Sequence, residues 1–474
     1  MTDKIRIYNT KTRQLEDFEA EQAGIARVYS CGPTVYHYQH IGNMRAAVFA
    51  DTLHRTLITA GYEVKHVINI TDVGHLTSDG DTGEDKLEKG ARREGKSAWE
   101  VAKMYTDAYF KDIASFGIEM SQYLFPRATD HIEEQIDLIR TLEEKGYTYR
   151  ISDGIYFDTS KFESYRDFAR LDVEGLKSGA RVEENIEKKN VTDFALWKFS
   201  YPNGRSFDSS QDDAASRRQM EWDSPWGKGF PGWHIECSAM AMKYLGRTFD
   251  IHTGGIEHIP VHHTNEIAQS ECATGVPFAH YWMHNNHLLD STGKMSKSND
   301  EFLTLASLKE KGYDPFAYRY FLMSANYRKE LLFSFEALDG AVSAYEKLAD
   351  FCKKNASKHG IADVEYVKEF KEAMYEDLNT AKALSVVWTM LKDESLAAKD
   401  AYATLIQFNS VLGLGLDRIQ KEEIVITERM QALLDAREEA RRQRDFAESD
   451  RLRDEISREG YTVKDTKDGQ ILSK

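Results

Sequence analysis

The sequence contains few cysteines, no long apolar run and no excess of positive charge. Only Cys31, Cys237, Cys272 and Cys352 occur among 474 residues, which argues against a disulfide scaffold and for a reducing, cytoplasmic compartment. No apolar run approaches the roughly 20 residues of a membrane span, and the polar start MTDKIRIYNTKTRQ predicts no secretory signal. The net charge of −16 provides no general attraction to nucleic acid, so such a partner would need a local basic surface.

The chain does contain enough apolar material for a large core, with 41% hydrophobic residues. Its length suggests about three domains. Near the N-terminus, residues 25–30 have the pattern of an apolar strand, residues 43–60 have helical periodicity, and residues 64–70 have a second strand pattern. Together they predict a strand–helix–strand unit, the building block of a parallel sheet.

The rest of the chain divides by pattern into further segments. We expect residues 85–145 to be mostly helical and residues 150–230 to be irregular, with a polar loop at residues 203–223. A second α/β portion is predicted from residue 233 to 302. From residue 314 onward the pattern predicts almost only helix.

One stretch imitates a nucleotide-binding loop. Residues 90–97, GARREGKS, match the phosphate-binding pattern G-x-x-x-x-G-K-[ST]. That loop functions when an apolar strand leads into it and a helix N-terminus receives the phosphate. Here the preceding residues, EDKLEK, are charged and helix-like. We therefore predict a turn between two surface helices.

A different stretch, VHHTNE at residues 261–266, has the residue types of a metal site. His262 and Glu266 are four residues apart, so on a helix they share one face and can reach one point. Imidazole, carboxylate and cysteine thiolate are all zinc ligands. The residues alone leave His258, His262 and His263 as competing ligands, and a lone buried cysteine is more often a small apolar side chain.

Two short motifs suit a nucleoside triphosphate. Residues 40–43 are HIGN at the start of the predicted helix, and residues 294–298 are KMSKS after an apolar segment and a turn. Backbone amides at a helix N-terminus and the His40 imidazole can donate to phosphate oxygens. Lys294 and Lys297 can neutralise charge that develops between the α-phosphorus and the leaving pyrophosphate.

With these motifs the chain resembles the class I aminoacyl-tRNA synthetases, and specifically the cysteinyl-tRNA synthetase family. The resemblance runs nearly end to end. Besides HIGN, VHHTNE and KMSKS, it is carried by CGPTVY at 31–36, NITDV at 69–73, PGWHIECSAM at 231–240, DIH at 250–252, WMH at 282–284, DLNT at 377–380, DFA at 445–447 and DRLRD at 450–454.

The resemblance implies an α/β fold: a Rossmann-like parallel-sheet catalytic domain split by an insertion, followed by an all-α helical anticodon-binding bundle and a small C-terminal extension. The expected divisions are a first catalytic half with HIGN at 1–125, an insertion at 126–232, a second catalytic half with KMSKS at 233–305, a linking stem-contact region at 306–345, the helical bundle at 346–420 and the extension at 421–474.

The resemblance also implies one zinc ion per chain, held by Cys31, Cys237, His262 and Glu266. It implies that the thiolate of the substrate cysteine joins the metal as an extra ligand. A pocket alone separates cysteine from serine poorly, by about 1–3 kcal/mol. Zinc separates a soft thiolate from a hydroxyl by chemistry, so no editing domain would be needed.

Other roles are implied by the same resemblance. The implied catalytic residues are His40, Asn43, Lys294 and Lys297; these four with Gly42 and Glu257 are implied to bind ATP, with Mg²⁺; and Cys31, Trp233 and His252 are implied to line the amino-acid pocket. The chain departs from the family pattern at Glu257, where the family often has aspartate after Gly-Gly-Ser, and at residues 299–301 after KMSKS. Its end also lacks the family's usual final tryptophan.

Residues 436–458 are rich in arginine, but acidic residues interleave almost one for one. Composition alone favours a solvated, ion-paired pair of helices. The resemblance instead assigns this region to contact with the tRNA anticodon.

The expected function is ATP-dependent ligation of L-cysteine to tRNA(Cys) through a cysteinyl-adenylate, by a monomer without membrane contact. Two alternatives stay open. One is a cysteine-activating ligase with a small-molecule amine acceptor, against which the long helical segment after KMSKS counts. The other is a non-catalytic zinc- and RNA-binding module, against which the paired HIGN and KMSKS motifs count.

Overall fold

The structure is a computed structural model that describes residues 3–76, 84–170, 185–208, 218–290, 293–294, 302–356, 359–419, 427–466 and 469–473. Its strands are β1 Arg6–Asn9, β2 Gln14–Asp17, β3 Ile25–Ser30, β4 Glu63–Ile68, β5 Tyr123–Leu124, β6 Thr148–Ile151, β7 Gly154–Phe157, β8 Phe194–Phe199, β9 Gly229–Pro231, β10 Phe249–Gly255, β11 Ala279–Asn285, β12 Leu288–Asp290, β13 Gly293–Lys294, β14 Leu331–Leu332, β15 Thr462–Thr466 and β16 Gly469–Ser473. Its α-helices are α1 Ile41–Thr59, α2 Lys86–Glu94, α3 Ala98–Ser115, α4 Ile132–Glu144, α5 Trp233–Leu245, α6 Thr264–Thr274, α7 Leu305–Glu310, α8 Pro315–Met323, α9 Phe335–Asn355, α10 Val364–Tyr375, α11 Thr380–Lys392, α12 Ala398–Leu412, α13 Glu428–Arg442 and α14 Phe446–Arg458.

A five-stranded parallel sheet organises the first part of the chain, in the order β11–β10–β3–β4–β5. All seven residues of β10 are buried, as expected for a parallel strand that is covered on both faces. The predicted strand–helix–strand unit is confirmed, because β3, α1 and β4 follow one another and Val28 lies opposite His66 in the parallel pair. Next to β3 on its other side lies β10, where Ile251 is opposite Val28.

The insertion is more regular than its sequence pattern predicts. Strands β6 to β9 form a four-stranded antiparallel sheet, so the expectation of an irregular segment at residues 150–230 is wrong. The physical reason lies in β8, FALWKF, whose six residues are all buried. A strand covered on both faces lacks the alternation of apolar and polar residues that reveals a strand in a sequence. Within the predicted loop at 203–223, residues 209–217 lie outside the described residues.

The C-terminal part is mostly helical, as predicted. The described residues include two exceptions: β14 pairs in parallel with β12, and β15 and β16 form an antiparallel hairpin in which Thr462 is opposite Ser473. Strand β14 has only two residues, Leu331 and Leu332, too few to show a pattern, and β15 (TVKDT) is mostly polar. Among the described residues, every helix is too short or too polar to cross a bilayer.

A buried ion cluster joins α1 to the helical part. The carboxylate of Asp51 on α1 accepts from the guanidinium of Arg319 on α8, from Arg55 Nε at 2.7 Å and from the Tyr123 hydroxyl at 2.8 Å. Arg319 Nε also donates to the carbonyl oxygen of Leu412, the last residue of α12, at 2.7 Å. The side chains of Asp51 and Arg319 are 2% and 0% exposed. Each charge therefore depends on the other for compensation.

We predict that Asp51→Ala destabilises the protein strongly. The substitution leaves the buried guanidinium of Arg319 without a carboxylate, and breaking a buried pair from one side typically costs about 3–5 kcal/mol. The free energy of unfolding, measured by urea denaturation, should fall by that amount. Asp107→Ala removes the exposed pair between Lys103 and Asp107 on α3, and should cost less than about 1 kcal/mol. Equal losses for the two variants would contradict the assignment.

Candidate active site and metal centre

A cleft of about 260 Å³ opens at the carboxyl edge of the central sheet. Strand β3 ends at Ser30 and β10 ends at Gly255, and both residues line the cleft. Strand β3 pairs with β4 on one side and with β10 on the other. The strand order therefore changes direction at β3, and the cleft lies at this point. Open α/β sheets bind their ligands at this place.

The HIGN residues begin helix α1 and line the cleft. The His40 side chain caps the helix, because its Nδ1 accepts from the Asn43 backbone N–H at 3.2 Å while Asn43 Oδ1 accepts from the His40 backbone N–H at 3.2 Å. A side chain at Gly42 would come within 2.9 Å of the His40 ring, so this packing requires glycine. Since Nδ1 is an acceptor, the neutral His40 ring carries its hydrogen on Nε2. The ring can thus donate to an anion.

At the cleft lies a cluster of candidate metal ligands, of which Cys31 is half-buried and lines the cleft and the other three are buried. Cys31 follows β3, Cys237 lies on α5, Glu266 lies on α6, and His262 belongs to the π-helix Ile259–His263 that leads into α6. Their ligand atoms all lie within 4.8 Å of one another. The structure thus brings together the four residues that the family resemblance implies as zinc ligands. The predicted convergence of the His262 and Glu266 side chains is confirmed, since His262 Nε2 lies 2.8 Å from Glu266 Oε1.

A second group of four overlaps the first. Cys31, His252, His263 and Glu266 also place their ligand atoms within 4.8 Å of one another. His263 competes with His262 as a ligand on the residues alone, and the resemblance does not include it in the ligand set. Its Nε2 lies 3.2 Å from Cys31 Sγ, and its Nδ1 lies 2.8 Å from His284 Nε2. The two groups differ in donor chemistry, because the first contains two thiols and the second contains one.

Burial and mutual attraction set the charges of the first group. Burial raises the pKa of Glu266, but His252 and His262 outweigh it and hold that pKa well below its usual range. The hydrogen bond from Cys31 lowers the pKa of Cys237 to about 6, against the opposing effect of burial. Burial lowers the pKa of His262, yet Glu266 and Cys237 raise it to about 10. Burial and the neighbouring Cys237 raise the pKa of Cys31.

Glu266 and the Cys237 thiolate are thus two buried negative charges, and the proton on His262 offsets one of them. A divalent cation can replace that proton, because metal ligands bind in their deprotonated forms. Neighbouring histidines orient the ligands, as partners of metal ligands commonly do. His252 Nε2 lies 2.8 Å from Glu266 Oε2, and His234 Nδ1 lies 3.0 Å from His262 Nδ1. The donor set and its surroundings fit zinc.

The residues expected around the amino acid lie close to this cluster. Trp233 is the first residue of α5, and its ring lies 4.4 Å from the ring of His262. His252 is fully buried and stacks on Trp282 with ring centroids 4.6 Å apart. Glu257 lines the cleft with its carboxylate 3.5 Å from His287 Nδ1.

Of the two lysines of KMSKS, the structure describes Lys294 and not Lys297. Lys294 ends β13 and pairs with Leu289 of β12. Lys297 lies outside the described residues, as do residues 299–301, where the chain departs from the family pattern.

The stretch GARREGKS forms a helix–turn–helix, as predicted. Gly90 lies inside α2, Gly95 ends that helix with a φ of 62°, and the Ser97 side chain caps α3. A helix precedes the turn where a phosphate-binding loop needs a strand.

Sequence reasoning missed Lys86, the first residue of α2, which lines the cleft. The segment around it was interpreted only as a charged surface helix. No local spacing marks Lys86, because its place in the cleft results from the way α2 packs.

The arginine-rich end forms the helix pair α13 and α14. Most of its charges lie on the surface, for example Arg451, which pairs with Glu448. Arg437 is an exception, because it is fully buried and donates to Asp465 at 2.8 Å and to Gln470 at 2.7 Å. The expectation of a wholly solvated pair is therefore wrong for Arg437, which anchors the β15–β16 hairpin.

Comparison with known proteins shows the class of protein to which this chain belongs. The family described as tRNA synthetases class I (C) catalytic domain matches residues 17–343, the DALR domain matches residues 369–417, and the cysteinyl-tRNA ligase anticodon binding domain matches residues 425–471. The solved Mycobacterium tuberculosis methionyl-tRNA synthetase in complex with methionyl-adenylate shares the fold, with a TM-score of 0.55 and 14% identity over 90% of this chain and 96% of that one. The fold and its domains are those of a class I aminoacyl-tRNA synthetase.

Two curated relatives show the family within this class. Cysteine–tRNA ligase 1 of Burkholderia lata is 48% identical over 99% of this chain and 96% of that protein. The cysteine–tRNA ligase of Novosphingobium aromaticivorans is 44% identical over 97% of this chain and 95% of that protein. The chain belongs to the cysteine–tRNA ligase family.

Proposed function

We propose that this protein ligates L-cysteine to tRNA(Cys) with ATP, through a cysteinyl-adenylate. The observation that carries the proposal is the group of Cys31, Cys237, His262 and Glu266, which meets the cleft at the strand-order reversal through the half-buried Cys31. In the first reaction a carboxylate oxygen of cysteine attacks the α-phosphorus of ATP, and the bond to pyrophosphate breaks. In the second reaction a ribose hydroxyl of the tRNA attacks the acyl carbon, and AMP leaves.

The chain's own residues contribute positions and charges to the first reaction. His40 donates from Nε2 to phosphate oxygens, in a geometry that the Asn43 cap supports. Glu257 accepts from the ATP ribose at the cleft wall. Lys294 and Lys297 neutralise the charge that develops toward the leaving pyrophosphate, together with Mg²⁺. Preorganised groups of this kind lower the barrier because they need no reorientation during the reaction.

We assign Cys31, Cys237, His262 and Glu266 as the ligands of one zinc ion. When bound, zinc supplies a thiophilic position for the sulfur of the substrate. Trp233 and His252 border that position, and His252 also holds the Glu266 carboxylate. The cysteine thiolate is thereby chosen over the serine hydroxyl by metal chemistry rather than by the size of the pocket.

The tRNA is the acceptor that the C-terminal domains favour. The matched DALR and anticodon-binding families support it over a small-molecule amine. All four cysteines are free thiols, which fits a reducing, cytoplasmic compartment. We propose that the protein acts as a monomer.

We expect one zinc ion per chain. The zinc content of two variants tests which histidine of VHHTNE is the ligand. His262→Ala removes a proposed ligand and should lower the zinc that elemental analysis finds in the purified protein. His263→Ala should retain zinc, because His263 lies next to the proposed ligands Cys31 and Glu266 and is not itself one of them. Metal lost from the His263 variant and kept by the His262 variant would show that the second group of four holds the ion.

Lys297→Ala should lower kcat for cysteine-dependent exchange of pyrophosphate into ATP, by on the order of 100–1000-fold. The KM for ATP should change less, because the charge acts mainly in the transition state. Lys96→Ala, in the helix–turn–helix that imitates a phosphate-binding loop, is the matched control and should leave exchange near the wild-type rate. An unchanged rate in the Lys297 variant would exclude its role.

Cobalt substitution tests whether the metal meets the substrate sulfur. Addition of cysteine to the Co²⁺ protein should strengthen the thiolate-to-metal charge-transfer absorption, whereas serine should not. Cys31 and Cys237 already contribute to that absorption, so the difference spectrum is the measurement. If cysteine leaves the spectrum unchanged, the metal is structural, and selectivity belongs to the pocket around Trp233 and His252.

A further inference from the structure

The motif DLNT at residues 377–380 forms a turn between helices α10 and α11. Asp377 and Leu378 both have left-handed backbone conformations, with φ angles of 56° and 50°. Aspartate tolerates this conformation, whereas leucine adopts it rarely. Strained backbone persists where neighbouring groups hold it, and it clusters at functional sites. The partners of Asp377 therefore show what this turn holds.

The buried carboxylate of Asp377 joins three segments of the chain. Its Oδ1 accepts from the backbone N–H of Tyr8 on β1 at 2.9 Å and from the hydroxyl of Tyr327 at 2.6 Å, and its Oδ2 accepts from Arg328 Nε at 2.7 Å. The Arg328 guanidinium also lies over the Tyr8 ring, 4.3 Å from its centre. Tyr327 and Arg328 belong to the turn at 326–329, which follows helix α8. Asp377 thus connects this turn to the helical part.

The turn at 326–329 is also bound to the wall of the cleft. The backbone N–H of Asn286 donates to the Tyr327 carbonyl oxygen at 2.8 Å, and the Asn286 side-chain amide donates to the Arg328 carbonyl oxygen at 3.2 Å. The buried guanidinium of Arg45 bridges the wall and the turn, because it donates to the carbonyl oxygens of Asn286, at 2.9 Å, and of Lys329. Asn286 itself lines the cleft.

Packing and strand pairing add to these hydrogen bonds. The Tyr327 ring stacks on the ring of Phe49 with centroids 4.5 Å apart, and Phe49 lines the cleft from helix α1. Beyond the turn, β14 pairs in parallel with β12, and β12 pairs with β13, which ends at Lys294. A displacement of the turn would therefore move one wall of the cleft and the strand that leads into KMSKS.

The wall at residues 285–288 borders the part of the cleft that is proposed to hold ATP. His287 Nδ1 lies 3.5 Å from the carboxylate of Glu257, which is proposed to accept from the ATP ribose. Leu288 lies beside the first turn of α1, because a Cβ at Gly42 of HIGN would be 3.6 Å from the Leu288 Cβ. We therefore expect movement of this wall to affect ATP more than the amino acid at the metal.

We propose that Asp377 is a positioning residue for ATP, which acts from the helical part through the turn at 326–329 on the cleft wall at 285–288. This inference rests on the proposed function, and it gives a role to DLNT, which the proposed zinc and ATP contacts do not include. Asp377 acts on ATP through Tyr327 and Arg328 rather than by touching it. The helical part thereby contributes to adenylate formation as well as to the choice of acceptor.

Asp377→Asn tests the proposal, because asparagine tolerates the left-handed backbone but removes the charge that holds Arg328. In cysteine-dependent exchange of pyrophosphate into ATP, the KM for ATP should rise roughly 2- to 30-fold, the range of coupling through packed and hydrogen-bonded networks. The KM for cysteine and the Co²⁺ difference spectrum with cysteine should keep their wild-type values. A KM does not depend on the amount of active protein, so a loss of folded protein cannot cause this split.

Tyr327→Phe breaks the same connection by a smaller change. It removes the hydroxyl that donates to Asp377 and retains the ring that stacks on Phe49, so it also serves as the test if Asp377→Asn does not fold. The KM for ATP should again rise alone. The double variant should raise it no further than the larger single effect, because both substitutions interrupt one connection.

Glu376→Gln is the matched control, because Glu376 directly precedes Asp377 and pairs with Arg6 on the N-terminal strand β1. It should keep the wild-type KM values. An unchanged KM for ATP in the variants that fold, equal rises in both KM values, or additive effects in the double variant would overturn the proposal and leave the proposed function standing. A wild type without cysteine-dependent exchange would instead overturn the proposed function, and this inference with it.

Discussion

The site depends on keeping the Glu266 carboxylate charged where water does not reach it. Its side chain is completely buried, and an isolated buried carboxylate is strongly unfavourable. Two imidazoles compensate it, His252 from strand β10 and His262 from the π-helix, each at 2.8 Å. His252 in turn lies opposite Trp282 in the pairing of β10 with β11. The pairing of β10 with β11 therefore helps to place the imidazole that stabilises the Glu266 carboxylate in the candidate metal site.

Helix α1 connects the cleft to the helical C-terminal part. Its first turn presents His40 to the cleft, and one turn later the buried guanidinium of Arg45 donates to the carbonyl oxygens of Asn286, at 2.9 Å, and of His287, both in the cleft wall. Farther along, Asp51 binds Arg319 of the helical part. A single helix thus contacts the cleft through His40 at its N-terminus, the cleft wall through Arg45 and the C-terminal helical part through Asp51.

Features that depend on neighbours along the chain were predictable. The β3–α1–β4 unit, the helix–turn–helix at GARREGKS and the convergence of His262 and Glu266 all follow from local periodicity. The antiparallel sheet of the insertion was not predictable, because β8 is apolar on both faces. Nor was the burial of Arg437, since its partner Asp465 is 28 residues away on a hairpin.

The sequence by itself determined the family, because HIGN, KMSKS and the other motifs are properties of residue types and short spacings. Through that resemblance it also named the candidate metal donors, whereas residue types and spacings alone left His258, His262 and His263 as competing ligands. Only the tertiary structure decided that His263 reaches Cys31, 232 residues away, and that Lys86 lines the cleft. The physical reason is that such contacts depend on how strands pair and helices pack. Spacing along the chain defines which residues share a helix face, but it carries no information about which distant segment that face meets.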